Sequence, residues 1–216
     1  MAALAAAASE CGVPLEPSAQ ERLLGYLALL EKWNAVYNLT AIRDPQQMLV
    51  QHLYDSLAIV APLRERGLLA PGACVLDVGS GAGLPGVVLA VVEPGVQVHC
   101  VDAAAKKAAF VTQVAAELEL ANLHAHHARV EALRCGAGQA MPAASLIVSR
   151  AFASLADFVS LTAHLLAPGG HWVAMKGRVP EDELRALPAS VSLAAAITLR
   201  VPRLDAQRHL LVMQPR

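Results

Sequence analysis

Val75-Leu76-Asp77-Val78-Gly79-Ser80-Gly81-Ala82-Gly83-Leu84-Pro85-Gly86 is a short apolar run that ends in an acid, breaks into glycines, and re-enters an apolar stretch reaching Val92. A strand that turns through glycines into a helix is the ligand crevice of doubly wound sheets. Glycine suits that turn because a side chain would block a ligand lying against the backbone, and because tight turns call for positive φ. Gly81, Gly83 and Gly86 also spell G-x-G-x-x-G, so a dinucleotide has to be weighed. Asp77 stands two residues before the first glycine. There its charge opposes a pyrophosphate and favours the cationic amino group of a ligand carrying an amino acid, such as S-adenosylmethionine. Asp102 ends the next strand, where a carboxylate accepts hydrogen bonds from both ribose hydroxyls of either cofactor. No G-x-x-x-x-G-K-[ST] loop is present, which disfavours nucleoside triphosphate hydrolysis.

Downstream of Pro71-Gly72 the texture repeats this unit. Apolar strands Cys74–Val78, Val96–Val101, Leu123–Ala128, Leu146–Ser149 and His171–Met175 alternate with helical stretches Pro85–Val92, Ala105–Leu120 and Ala153–Leu166. Alternation of that kind predicts a parallel sheet with helices on both faces. Val191–Val201 and Arg208–Met213 are joined by too few residues for a crossover helix, so one of them runs antiparallel. Upstream, Leu23, Leu24, Leu27, Leu30 and Trp33 recur at helical spacing behind a possible cap at Ser18. Asp44 and Pro45 open a second helix toward Pro62. The expected division is a helical N-terminal extension over 1–70 and a Rossmann-like domain over 71–216.

Composition narrows the classes further. The 56% apolar fraction is alanine-rich and broken by Pro, Gly or charge, which gives no membrane-spanning run. Met1–Ser9 lacks the basic start of a secretory signal, pointing to a cytosolic protein. Cys11, Cys74, Cys100 and Cys135 show no zinc spacing and read as reduced thiols. His124 and His126 share one strand face while His127 takes the other, without a nearby acid or cysteine, so no metal is expected. The 17 cations against 18 anions are distributed unevenly: 5 against 7 in residues 1–70, 5 against 7 in 71–175, and 7 against 4 in 176–216.

The glycine loop resembles the donor loop of the bacterial small-subunit ribosomal RNA guanine-N7 methyltransferases, the RsmG or glucose-inhibited division protein B family. Lys32-Trp33-Asn34 with Tyr37-Asn38-Leu39-Thr40, His52 with Asp55-Ser56, Ser149-Arg150-Ala151-Phe152-Ala153, Lys176-Gly177 and Pro180-Glu181-Asp182-Glu183 are similar to that family, in its order. The resemblance spans essentially the whole chain. It implies a class I S-adenosylmethionine-dependent methyltransferase fold: a mostly parallel seven-stranded sheet with one antiparallel strand. It also implies methyl transfer to N7 of one guanine, that at position 527 of 16S ribosomal RNA. Carried over by position, Gly79, Leu84, Val130, Glu131 and Arg150 line the donor site, beside Asp77, Gly81, Gly83 and Asp102.

Guanine N7 carries an in-plane lone pair and no proton, so it needs no general base. Positioning and tolerance of the developing charge are enough. The chain agrees through what it lacks, since Ser149-Arg150-Ala151-Phe152 stands where amine methylators resembling the N-P-P-Y type place their motif. Phe152 is a candidate to stack on the target base, or else a core residue. Lys106, Lys107, Arg129, Arg150, Lys176 and Arg178 all follow strand ends, so a parallel sheet would bring them to one rim suited to RNA phosphate. Trp33, Asn34, Tyr37, Asn38 and Thr40 either dock the helical extension or touch RNA, docking being the simpler reading. A monomer acting on ribosomal RNA or the small subunit, without metal or membrane, is the expectation. Its rivals are another RNA acceptor, a nicotinamide-dependent oxidoreductase, and a donor-binding module without turnover.

Overall fold

The computed structural model describes residues 1–139, 141–150 and 152–216. Ala151 of the Ser149–Ala153 signature and Ala140 in the connection before the fourth strand lie outside the described residues.

The strands over Cys74–Val78, Gln97–Asp102 and Ala144–Arg150 are rich in Val, Leu, Ile and Cys and buried on both faces, as the centre of a parallel sheet requires, whereas Leu123–His127 at the sheet edge is only partly buried. In chain order the elements from the glycine-loop strand onward are β1 (Cys74–Val78), β2 (Gln97–Asp102), β3 (Leu123–His127), β4 (Ala144–Arg150), β5 (Leu166–Lys176), β6 (Val191–Leu199) and β7 (Arg208–Pro215). They form one seven-stranded sheet in the order β3-β2-β1-β4-β5-β7-β6. Strands β1 to β5 are mutually parallel, and β7 runs antiparallel to both β5 and β6. The order reverses between β1 and β4, which opens a crevice at their carboxyl ends.

The period-2 alternation divides the strands between two apolar clusters. Val75, Val98, Cys100, Val148 and Val173 face one way, with Leu23, Leu30, Val87 and Phe110 of the covering helices. Leu76, Val78, Val101, Ile147 and Trp172 face the other, with Leu155, Phe158 and Val159. Each buried aliphatic contributes about 1.5–3 kcal/mol, enough to hold the layers without staples. The cysteines are free, and Cys74 and Cys100 are buried within β1 and β2.

The N-terminal helices are α1 (Ala2–Glu10), α2 (Pro17–Tyr37), α3 (Pro45–Met48), α4 (Asp55–Leu57) and α5 (Val60–Glu65). Ser18 does not cap α2. The helix begins one residue earlier at Pro17, whose fixed φ suits the first turn, and ends at Asn38 in the left-handed region (φ 49°). Asp44 does cap α3, its carboxylate accepting from Gln47 N at 2.8 Å. The single helix expected over 45–62 is instead broken by a π-helical turn, Leu49–Tyr54, before α4. Wide turns of this kind re-aim side chains and concentrate at functional sites.

The remaining helices are α6 (Gly86–Val92), α7 (Ala105–Glu117), α8 (Leu155–Thr162) and α9 (Glu181–Arg185). Helix α8 starts two residues later than expected, because Ser154 accepts from Asp157 N and fixes the first turn there. Pro168-Gly169-Gly170 is not a free turn before β5. It lies within the strand, where the pairing slips between Ala144↔Leu166 and Leu146↔His171. Among the described residues no helix is long and apolar enough to cross a membrane.

Candidate functional site

The glycine turn is held from below. Asp77 is fully buried, its Oδ2 accepting from Gly86 N at 2.8 Å, while Oδ1 has no partner. Burial pushes its carboxyl up to about 7, opposed in part by the Gly86 N–H. A Cβ at Gly86 would lie 2.5 Å from Cys100 Sγ, so the helix start can approach β2 only as glycine. Asp77 therefore anchors the turn from behind and has no exposed face for a ligand's amino group. Leu84 likewise sits in the core at 2% exposure.

On the open side, Gly79 donates to Val101 O at 2.9 Å, and Gly81 donates to Asp102 Oδ2 at 3.0 Å. Asp102 Oδ1 accepts from Ala104 N at 2.8 Å, and Lys107 Nζ lies 3.5 Å from Oδ2. These bonds fix the carboxylate at the mouth of a cavity of about 230 Å³ lined by Gly79, Asp102, Val130, Glu131 and Phe152, among others. Nothing stands within 4 Å of a Cβ built on Gly79 or Gly81, so the backbone there faces open space. The volume is below the ~300–1,000 Å³ of whole small-molecule sites and suits the nucleoside half of a donor. Asp102 would hold the ribose hydroxyls, Gly79 would let the ligand lie on the backbone, and Val130 and Phe152 would close over a planar base. Those features fit S-adenosylmethionine. Phe152 is only half-buried and tilts against Phe158, with ring centroids 5.4 Å apart, so it is at once a core contact and a cavity wall.

Arg150 points elsewhere. Its guanidinium donates to Gln51 O at 2.9 Å and reaches Asp55 Oδ2 at 3.5 Å, in a second cavity of about 530 Å³. Asp55 is buried at 3% exposure, and its Oδ1 accepts from Arg208 Nε at 2.9 Å. The importance of Arg208 was not visible in sequence, where it is one more cation at a strand start. Asp55 left a signal, being the one charge between Met48 and Val60, and a lone carboxylate in an apolar stretch asks for a partner. Tyr26 left none. Its hydroxyl donates to Ala82 O at 2.9 Å and ties α2 to the glycine turn.

The six cations do share one end of the sheet, in different states. Lys106 donates to Tyr37 O, Lys107 neighbours Asp102, Arg150 pairs with Asp55, and Lys176 pairs with Glu183 at 2.9 Å. Arg129 and Arg178 are exposed and form no ion pair among the described residues. The aromatic end of α2 is divided, Tyr37 and Asn38 being exposed while Trp33 and Asn34 turn inward. Trp33 packs edge-on to Phe110 of α7 at 5.5 Å, and Asn34 Oδ1 accepts from Thr40 N.

His124 and His126 stack on either side of His99, with centroids at 4.7 and 5.2 Å, and His99 Nδ1 lies 2.9 Å from His126 Nε2. No group of three metal-ligating residues is arranged around an ion among the described residues. Burial, then the neighbouring imidazoles, hold His99 down at about 4. A base held below its unfolded value stabilises the fold above pH ~6.5, and that stability is lost as pH falls toward 4. We expect the urea midpoint to fall across that window, and His99→Phe to remove part of the fall, on the order of 1–3 kcal/mol. An equal slope in the variant would show the stack to be electrostatically idle.

Comparison with known proteins agrees with the geometry. The profile of the rRNA small subunit methyltransferase G family matches residues 19–211. A ribosomal RNA small subunit methyltransferase G from Leptothrix cholodnii is 56% identical over 213 residues, covering 99% of this chain and 94% of that one. Its counterpart from Burkholderia cenocepacia is 57% identical over 196 residues, covering 91% and 84%. Among solved structures, a magnesium protoporphyrin IX methyltransferase from Synechocystis with bound S-adenosylmethionine superposes with a TM-score of 0.60. It is 16% identical and covers 88% of this chain and 97% of that one, a likeness of fold.

Proposed function

The chain belongs to the rRNA small subunit methyltransferase G family, and from that membership we propose that it transfers the methyl group of S-adenosylmethionine to N7 of one guanine in 16S ribosomal RNA. The observation that carries the reading is the family match joined to a glycine turn that faces open space beside the fixed carboxylate of Asp102.

S-adenosylmethionine supplies a methyl on a sulfonium, an electrophile that needs no further activation. The chain's own part is to hold and orient. Asp102, oriented by Gly81 and Ala104 N–H groups, binds the ribose, and the Val130 and Phe152 walls exclude water from the base. Guanine N7 has no proton to lose, so no side chain has to accept one. Catalysis rests on in-line placement of N7 and on tolerating the charge that grows on the base. Residues 71–216 would carry the donor site and residues 1–70 a helical extension beside it, in a monomeric cytoplasmic protein. Lys106, Lys107, Arg129, Lys176 and Arg178 are proposed as the RNA-facing cations, with exposed Arg129 and Arg178 the freest to meet phosphate.

Purified protein with methyl-labelled donor should transfer label to 16S ribosomal RNA, naked or within small subunits, and cleavage chemistry specific for N7-methylguanine should place it at a single position, that of guanine 527. Label at another base would redirect the acceptor. Absence of transfer to both substrates, or binding of NADH in place of the donor, would overturn the proposal.

A further inference from the structure

The second cavity adjoins the donor crevice across one strand end. Arg150, the last residue of β4, lines the larger cavity, and Phe152, two positions on, lines the smaller. Its walls come from both halves of the chain: Thr40, Ile42, His52 and Asp55 on one side, Arg150 and Arg208 on the other. At about 530 Å³ it falls within the ~300–1,000 Å³ of small-molecule sites, room for a nucleoside.

Three further observations bear on its occupant. The wall is prepared, since Asn34 and Thr40 pin the loop behind α2, Thr40 N donating to Asn34 Oδ1 at 2.9 Å and Thr40 Oγ1 meeting His52 Nε2 at 3.3 Å. Then the two guanidiniums held by Asp55 keep about a quarter of their side-chain surface exposed, 28% and 25%, and carry donors beyond those the carboxylate uses. A groove continues from the cavity mouth, sharing Lys176, Gly177 and Arg208 with it and lined further by Arg178 and by the carboxylates Glu181, Asp182 and Glu183.

The geometry points to this cavity as the seat of the target nucleoside, turned out of the RNA strand, with Arg150 and Arg208 meeting its oxygens and exposed Arg178 beside the cavity mouth the nearest free cation for a flanking phosphate. The assignment rests on the proposed RNA methylation and adds the place of the acceptor. Enzymes that modify a base take it out of the stack into such a pocket, and a guanidinium's fork of donors matches phosphate and carbonyl oxygens. The W-N-x-x-Y-N-L-T segment thereby gains a part: it shapes the acceptor wall, and the helical extension becomes half of the site.

Ala41 is exposed on the rim, so Ala41→Trp fills the cavity without entering the core. We expect its affinity for S-adenosylhomocysteine to stay within about twofold of wild type while kcat/KM for 16S ribosomal RNA falls about 100-fold. Arg208→Gln should raise KM for RNA about tenfold with donor affinity unchanged, and Arg208→Lys should recover part of it. Methylation by Ala41→Trp at the wild-type rate would overturn the assignment while leaving the proposed function standing. If Ala41→Trp does not fold, an unchanged KM in Arg208→Gln overturns it instead. A wild type that methylates no RNA fails the function and takes the cavity assignment with it.

Discussion

Asp55→Ala should lower the unfolding free energy by about 3 kcal/mol, the lower end of what removing one partner of a buried ion pair costs. The carboxylate is 3% exposed and holds Arg150 of β4 and Arg208 of β7 at once, so its loss leaves two guanidiniums facing each other with no counter-charge. Their partial exposure through the cavity admits water and keeps the cost from the upper end. At this chain length the change corresponds to a fall in Tm of roughly 6–12 °C. Asp55→Asn, which keeps an acceptor and loses the charge, should fall between. Urea melts of the three proteins measure this directly, and a loss below about 1 kcal/mol in the alanine variant would mean the arginines are already hydrated and the triad is loose. Because Asp55 joins a helix of the N-terminal segment to two strands, the variant should also lose methyl transfer to RNA more than donor binding.

The second large effect separates binding from folding within one turn. Gly83 has φ +88°, and a Cβ there would stand 2.6 Å from Val87 Cγ2 and 3.0 Å from Val111 Cγ2, both in the core. Gly83→Ala combines about 1–2 kcal/mol of left-handed backbone cost with about 1–3 kcal/mol of overpacking. Gly79 has φ +65° with nothing near its Cβ, so Gly79→Ala should cost only the backbone component, about 1–2 kcal/mol. Its methyl would project into the space beside Asp102 that is proposed for the donor. The expected pattern is a destabilised Gly83→Ala, and a folded Gly79→Ala whose donor affinity falls at least tenfold, about 1.4 kcal/mol. Equal donor affinity for Gly79→Ala and wild type by calorimetry would move the donor away from this turn.

Much of the architecture could be read before any coordinates. Alternating apolar strands and helical stretches specified the parallel sheet, because strands buried on both faces have to be continuous runs of Val, Leu and Ile. The short link between the last two strands required the antiparallel pair, there being no room for a crossover helix. The glycine turn and the acid that ends β2 located the crevice, since close backbone approach and ribose binding place narrow demands on residue type. Long-range pairing was not legible. Asp77 read as a ligand contact because position along a strand end does not say which way a carboxylate turns, and the fold turns it under the loop to Gly86 N. Arg150 and Lys176 read as free phosphate-binding cations, whereas Asp55 lies 95 residues from Arg150 and Glu183 seven from Lys176, each pairing set by packing.

By itself, then, the sequence determined the sheet and the glycine turn, and its motifs pointed to the family. The first two follow from local chemistry: the periodicity of side chains and the conformations open to glycine. Only the tertiary structure decided which side of the turn Asp77 serves, that Tyr26 braces it, and that residues from Thr40 to Asp55 close a second cavity against Arg150 and Arg208. The physical reason is that hydrogen bonds and ion pairs between residues 56, 95 and 153 positions apart depend on how the helices settle on the sheet, which no local pattern encodes.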